Sequence, residues 1–464
     1  MDLQNLLERE KGLQRGLNQR QLTMIAMGSA IGTGLFYGSG FAVGMAGPGV
    51  LVSYLIASVV ALIMMGTLSE MAVAHPVAGS FGTYAEIYLG PLAGWTVRYT
   101  YWACLVIAVG GEVIAAALYM QYWFPAVPNV VWIIAFSAAL IFVNARSVTN
   151  FGTFEYWFAM IKVSAIIFFI LAGFSLLFGL VGEPVGIANL TGHGGFFPKG
   201  PGGVWMAVLM AIFSFIGVEV VAVTSGEAKN PEVAVPRAQK AMVVRLILFY
   251  LLSLFLMLCL VPWQESGSKI SPFVQVFDRI GIPYAAGIMN FVILTAALSS
   301  MNSNLYLTSR MIFSLSRSGH AHPSLGKLSR EGAPVNALLV STIGIALAVA
   351  LQSFGSEAAY LYAFGVALFG ALFVWLMILI TFFKFRSARR ADAKPLPFTM
   401  PLHPFLPALG IILLVAIIIS FAFHDFFRVG IYSGVVWLTI MYFSYSLFGR
   451  KRASAPGAAE APVK

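Results

Sequence analysis

Charge is scarce in this sequence. Asp, Glu, Lys and Arg make up 10% of its 464 residues, whereas hydrophobic residues make up 59%. A soluble domain carries about 25% charged residues and cannot bury an apolar fraction this large. The composition therefore excludes an ordinary soluble enzyme or binding domain and predicts an all-α polytopic membrane protein.

Cysteine and histidine are too few for most site chemistries. The two cysteines, Cys104 and Cys259, fall in apolar runs, and the six histidines are scattered. This distribution excludes a disulfide framework, and the sequence contains no HExxH motif. We therefore expect no metal site, no cofactor and no enzymatic activity.

Acidic residues are the scarcer sign, and the net charge is +10. Most basic residues fall in segments predicted to be cytoplasmic; the four predicted to be external are Lys199, Lys269, Arg279 and Arg428. The positive-inside rule accounts for this asymmetry without a nucleic-acid partner. It predicts a multi-pass protein of the cell (plasma or inner) membrane, surrounded by lipid, with both termini cytoplasmic. No feature of the sequence predicts a protein partner.

Apolar runs predict twelve transmembrane helices. The predicted parts are a cytoplasmic tail at 1–21, five spans within 22–181, five spans within 203–385, two spans within 404–449, and a cytoplasmic tail at 450–464. Because five is odd, the second set of five has the opposite orientation to the first. This is the arithmetic of an inverted-topology repeat.

Glycines crowd the centre of the first apolar run, at residues 28–36. Glycine weakens a helix interior, and bare backbone at membrane depth is tolerated only where protein or an aqueous cavity covers it. A second run contains one glycine and one acid, at residues 213–219. Interruptions at corresponding positions of two halves indicate a transporter's binding site. The alternative is a glycine face that packs closely against a neighbouring helix.

These motifs resemble those of the amino acid permeases of the amino acid–polyamine–organocation (APC) superfamily. The similar segments are residues 28–36, 213–219, 226–231 and 309–311, and the resemblance extends over roughly residues 14–450. It implies a leucine-transporter-like fold, with a 5+5 inverted repeat, broken helices 1 and 6, and two extra helices. It also implies secondary transport of amino acids, usually coupled to protons.

A broken helix offers a partner to each end of an amino acid. N–H groups at a helix N-terminus suit the carboxylate, and carbonyl groups at a helix end suit the ammonium. The predicted substrate-binding residues are Ser29, Ala30, Ile31, Gly32, Thr33, Gly34, Phe213, Phe215, Ile216 and Met301. The phenylalanines have the alternative of core or lipid contacts. The mostly apolar set favours neutral amino acids, although nearby acids leave a cationic substrate open.

Three charged residues in apolar runs are predicted to couple transport to protons: Lys162, Glu219 and Glu112. Lys162 lies roughly 13 Å into the fifth span at 1.5 Å per residue, near the middle of the membrane core. The resemblance implies that a lysine at this position replaces the ion of sodium-coupled relatives. The alternatives are a snorkelling lysine, a hydrogen bond of Glu219 across the second break, and an interfacial position for Glu112.

Two polar groups have less specific patterns. In the eighth span, an ion site and hydrogen bonds between helices are both open for Ser299, Ser300, Asn302 and Ser303. At the cytoplasmic face, Glu227, Lys229 and Arg310 form either an inner gate or a solvated loop and membrane anchor.

Together these features predict an importer that works by proton symport through alternating access. Amino-acid exchange and sodium coupling are the alternatives. A channel is disfavoured because no pore-lining polar ring recurs. A nutrient receptor is disfavoured because such proteins usually carry a sizeable soluble signalling domain, whereas both predicted tails are short.

Overall fold

The computed structural model describes Leu13 and residues 16–146, 148–180, 182–265, 272–279, 284–353, 357–389 and 395–449. Most of the predicted tail at 1–21, all of the tail at 450–464, Lys269 and the side chain of Arg279 lie outside this description. Over the described ranges the structure is helical, with one isolated bridge between Leu17 and Ala228.

The helices alternate with short turns along the chain. In order they are α1 (Gln19–Ala30), α2 (Ser39–Ala46), α3 (Val50–Ala74), α4 (Ser80–Leu89), α5 (Pro91–Met120), α6 (Asn129–Ala145), α7 (Val148–Leu177), α8 (Ala188–Thr191), α9 (Gly200–Phe213), α10 (Val220–Val223), α11 (Pro231–Leu260), α12 (Pro272–Arg279), α13 (Ala285–Arg317), α14 (Val335–Ser341), α15 (Ile343–Ser353), α16 (Glu357–Arg389), α17 (Phe405–Ser420) and α18 (Asp425–Ser444).

Eight helical segments in the described part of the chain are long and apolar enough to cross a membrane. They are Gly34–Ala74, Pro91–Met120, Val148–Leu177, Pro231–Leu260, Ala285–Arg317, Phe364–Arg389, Phe405–Phe423 and Asp425–Gly449. Shorter apolar helices lie at Asn129–Ala145, Gly200–Phe213 and Val335–Ala350. The chain is therefore a polytopic membrane protein, and the count of twelve spans stays a prediction.

Helix α7 illustrates how the two faces of a span differ. Trp157 and Leu171 are both 63% exposed, whereas Ala159, Lys162 and Ile166 on the same helix are fully buried. Exposed aromatic and aliphatic side chains are stable when lipid surrounds them, since lipid tails are as apolar as leucine. The protein interior, not the lipid face, therefore receives the one lysine of this helix.

Helix α4 is too short to be one of the predicted spans. It begins after Gly79 and ends at Gly90, where φ is +105°, and it is only 10 residues long. It packs against α5, where Arg98 forms a buried ion pair with Glu86. A helix this short depends on tertiary contacts rather than on its own propensity.

Both predicted interruptions are present in the structure. Helix α1 ends at Ala30, and a π-helical turn begins at Gly34 and leads into α2. Helix α9 ends at Phe213, and α10 begins at Val220. Both gaps lie in the protein interior, where protein atoms cover the backbone groups that each gap exposes.

Candidate functional site

The two helix breaks touch each other at glycines. A Cβ atom at Gly217 would come within 2.8 Å of the Ser29 carbonyl oxygen, and one at Gly34 within 2.9 Å of the Ser214 Cα atom. Contacts under 3.0 Å are tighter than real Cβ atoms make. Only glycine therefore allows the two backbones to approach this closely.

Tyr250 on α11 ties the two breaks together. Its buried hydroxyl group lies 2.8 Å from the Ala30 carbonyl oxygen and 2.7 Å from that of Ser214, so both accept its hydrogen bond. Its ring lies 5.0 Å from that of Phe215, which is fully buried. The Ala30 carbonyl, predicted to bind the substrate ammonium, already has a partner here, and Phe215 is a core residue.

The other predicted apolar contacts divide between two regions. The Phe213 ring lies 4.0 Å from the Phe364 ring, and a Cβ atom at Gly34 would come within 3.0 Å of Phe213. Phe213 therefore covers the start of the helix that follows the first break, and Ile216 in the second break is partly buried. Met301 belongs instead to an apolar cluster with Val109 and Val113.

Glu112 reaches the first break from α5. One carboxylate oxygen accepts hydrogen bonds from Thr33 Oγ1 at 3.0 Å and from Ser300 Oγ at 2.9 Å. The same oxygen lies 3.6 Å from where a Cβ atom at Gly32 would be. Among the described residues its other oxygen has no hydrogen-bond partner, and the same holds for Ser29 Oγ. Glu112 thus lies at the break, where two buried polar atoms have no hydrogen-bond partner among the described residues.

Lys162 is fully buried against the same break. Its Nζ donates to the Gly28 carbonyl, to the Ile31 carbonyl at 2.8 Å and to Ser299 Oγ at 2.8 Å. An ammonium group has three N–H donors. The three acceptors therefore match the protonated side chain and join α7 to α1 and α13.

Glu219 bonds to a backbone N–H group of the second break, in which it lies. Its carboxylate accepts hydrogen bonds from the Tyr101 hydroxyl group at 2.8 Å and from the Gly217 N–H group at 3.1 Å. This is the hydrogen bond across the break that the sequence analysis left open. The contact fixes the direction in which α10 leaves the turn.

Glu155 is not among the residues predicted from the sequence, and it is also fully buried. Its carboxylate accepts hydrogen bonds from Ser299 Oγ and, at 3.0 Å, from Asn302 Nδ2. Asn302 Oδ1 in turn accepts from Asn144 at 2.7 Å. Glu155 precedes Lys162 by about two helical turns, so the pair shares one face of α7, and this spacing was the available signal.

The polar residues of the eighth span bond to charged side chains on two neighbouring helices, α5 and α7. Ser299 contacts Lys162 and Glu155, Ser300 contacts Glu112, and Asn302 contacts Glu155. Ser303 on the same helix is fully buried. Ser299, Ser300 and Asn302 thus join α13 to α7 and α5, and Asn302 also joins it to α6 through Asn144. An ion site at these residues stays a prediction.

The predicted gate residues are partly brought together. Arg310 Nε lies 3.0 Å from a carboxylate oxygen of Glu227, and its guanidinium lies 3.9 Å from the centre of the Tyr306 ring. Both charged side chains are at most 3% exposed. The Lys229 side chain is exposed, but its backbone N–H donates to the Leu17 carbonyl at 3.1 Å.

A match to a known family decides the identity. A family model described as "Amino acid permease" matches residues 21–455. The chain belongs to this family. The permease is 39% identical to an uncharacterized amino acid permease, YtnA, of Bacillus subtilis (strain 168), over 98% of this chain and 99% of that protein.

Two further relatives have named substrates. The permease is 39% identical to a gamma-aminobutyric acid permease of the same Bacillus strain, over 98% of each chain. It is 38% identical to the aromatic amino acid transport protein AroP of Escherichia coli O6:H1, over 96% of this chain and 97% of that protein. These relatives are transporters, in agreement with the transport function predicted from the sequence.

Proposed function

We propose that this permease imports neutral amino acids by proton symport through alternating access. The observation that carries the proposal is the buried Lys162 ammonium, which binds two carbonyl groups at the end of α1. When the Lys162 ammonium loses a proton, its hydrogen bonds to the end of α1, a helix of the proposed substrate site, are no longer charge-assisted. Protonation and the position of that helix are therefore linked.

The proposal includes the leucine-transporter-like arrangement of two inverted five-helix repeats with two additional helices. Its support is that two interrupted helices, one in each predicted repeat, meet at Ser29 and Gly217. It also includes the cell membrane as the location, with both termini in the cytoplasm, as the distribution of basic residues favours.

The substrate class rests on the backbone and on the relatives. The helix that begins at Gly34 directs its first N–H groups into the first break, where a carboxylate is favoured. The Ser29 hydroxyl group and one Glu112 oxygen, both without a partner among the described residues, suit an ammonium. Gamma-aminobutyric acid and the aromatic amino acids, named for two relatives, carry both groups and no net charge.

Reconstituted vesicles test the proposal directly. The purified permease is placed in proteoliposomes, and uptake of a labelled mixture of common amino acids and γ-aminobutyrate is driven by an inward proton gradient. We expect the wild type to accumulate label without sodium, and Lys162→Ala to lose accumulation while it still exchanges label in counterflow.

Three results would contradict the proposal. Accumulation that requires sodium at fixed pH would favour sodium coupling, and counterflow without any net uptake would favour an exchanger. Lys162→Ala that concentrates its substrate as well as the wild type would refute the role of the lysine.

A further inference from the structure

Glu155 and Lys162 meet at one hydroxyl group, that of Ser299. Lys162 Nζ donates to Ser299 Oγ at 2.8 Å, and Ser299 Oγ donates to a carboxylate oxygen of Glu155. We propose that Glu155 accepts the coupling proton of Lys162, with Ser299 as the bridge. The proposal rests on the proton coupling proposed above and adds the partner that this proton requires.

The surroundings leave Lys162 few routes for its proton. Two of its three acceptors are backbone carbonyls, which cannot release a proton in exchange. The third, Ser299, both accepts and donates. Of these three acceptors, it is therefore the one that can take a proton from Lys162 and pass another on.

The transfer conserves atoms and charge. An N–H bond of Lys162 breaks as Ser299 Oγ gains that proton, and the original Ser299 O–H bond breaks as Glu155 gains its proton. The charged pair becomes a neutral amine and a neutral carboxylic acid. The Ser299 hydroxyl group then donates to the amine and accepts from the acid, so both hydrogen bonds survive with their directions reversed.

The proton transfer weakens the hydrogen bonds by which Lys162 holds the end of α1. A neutral amine has two N–H donors, and its bonds to the carbonyls of Gly28 and Ile31 are no longer charge-assisted. Glu155 also lies directly against this helix, since a Cβ atom at Gly28 would come within 2.5 Å of its carboxylate. The proton's position on Lys162 or on Glu155 therefore determines how firmly α1 is held at the break.

The groups around Lys162 and Glu155 keep the proposed proton acceptor close to the proton donor. Lys162 shares the Ser299 hydroxyl group with Glu155 on its own helix, and Glu112 on α5 bonds to the adjacent Ser300. From α11, Arg245 is directed at Met27, with its Nη1 3.7 Å from the sulfur atom. The second Glu155 oxygen is held by Asn302, which binds Asn144 near the end of α6. This amide pair fixes the acceptor in position while adding no charge of its own.

Substitutions in the full-length permease separate a proton acceptor from a structural carboxylate. Glu155→Gln keeps the size of the side chain but cannot take the proton. In the proteoliposomes described above, we expect it to lose proton-driven accumulation, to retain counterflow, and to lose the pH dependence of counterflow. Glu155→Asp retains an acid, and we expect it to recover accumulation with a shifted pH profile.

Ser299→Ala tests the bridge and also covers the case in which Glu155→Gln fails to fold. We expect it to lose accumulation and keep counterflow. Thr295→Val is the matched control, because it removes a buried hydroxyl group of the same helix whose bond, among the described residues, goes to the Val292 carbonyl of that helix. We expect wild-type accumulation from this control.

The two proposals fail differently. If the wild type shows no proton-driven accumulation, or Lys162→Ala retains it, proton coupling itself is wrong. If both behave as expected while Glu155→Gln or Ser299→Ala accumulates substrate with the wild-type pH profile, the relay is wrong.

Discussion

Gly217 holds the second break in a backbone conformation that other residues avoid. Its φ angle is +101°, and the space for a Cβ atom is occupied by Ser29. This contact is one of two glycine contacts that bring the interrupted helices together, the other being that of Gly34 with Ser214. Any side chain here must strain the turn and push the breaks apart.

Gly217→Ala is therefore expected to impair the site more than the fold. Strain of about 1–3 kcal/mol should lower the thermal midpoint of the detergent-solubilised permease. Uptake into proteoliposomes should fall further, because the breaks no longer meet. Gly44→Ala is the matched control: nothing lies within 4 Å of its Cβ position, and alanine stabilises a helix by roughly 1 kcal/mol over glycine. Wild-type uptake by Gly217→Ala would contradict the inference that transport needs the close contact of the two breaks at Gly217.

At the scale of residues, the sequence shows which residues are unusual for their position better than it shows which residues they contact. The glycine-rich stretch and the buried Lys162 were recognisable, because both are costly inside a membrane span. Glu155 was missed because it lies near the predicted start of its span, where an acid has an ordinary interfacial explanation. The partner of the Ala30 carbonyl, Tyr250, lies far along the chain, and no local pattern pairs them.

At the scale of elements, α13 takes part in three of the buried polar contacts described above. Along its length Ser299 binds Lys162, Ser300 binds Glu112, and Arg310 binds Glu227. Its polarity was evident from the sequence, but a run of serines and asparagines does not reveal which neighbour each side chain meets. Short helices were harder still, since α4 is held by contacts with α5 rather than by an apolar repeat.

The pair of Arg310 and Glu227 should couple α13 strongly to the segment after the second break. Both side chains are buried, so removing one leaves an uncompensated charge. Arg310→Gln is expected to destabilise the permease by about 3–5 kcal/mol. Adding Glu227→Gln should recover a large part of this loss, and thermal unfolding in detergent measures both effects.

A surface pair provides the control for this cycle. Arg146 and Glu331 lie 3.1 Å apart, and their side chains are 49% and 44% exposed. Solvent screens such a pair, so Arg146→Gln should cost less than about 1 kcal/mol. Equal losses for Arg310→Gln and Arg146→Gln would mean that the buried pair does not hold these elements together.

Across the whole molecule, the segment before α1 is joined to the segment after the second break. The Leu17 N–H group donates to the Glu227 carbonyl at 3.1 Å, and the Lys229 N–H group donates to the Leu17 carbonyl at 3.1 Å. Leu17 is 1% exposed. In the proposed alternating access one repeat moves against the other, so α1 moves relative to α10. This motion would have to separate the β-bridge between Leu17 and Ala228.

A reversible cross-link tests whether the bridge opens during transport. Leu17→Cys with Ala228→Cys places two thiols at the positions paired by the parallel β-bridge. Paired strands lie about 4.8 Å apart, which is within the Cα–Cα range of a disulfide. In a background with Cys104→Ala and Cys259→Ala, oxidation is expected to stop uptake, and reduction to restore it. Leu17→Cys alone should be unaffected by either treatment. Full uptake by the oxidised, cross-linked protein would mean that these segments move together, and that the helices separate elsewhere when the site changes sides.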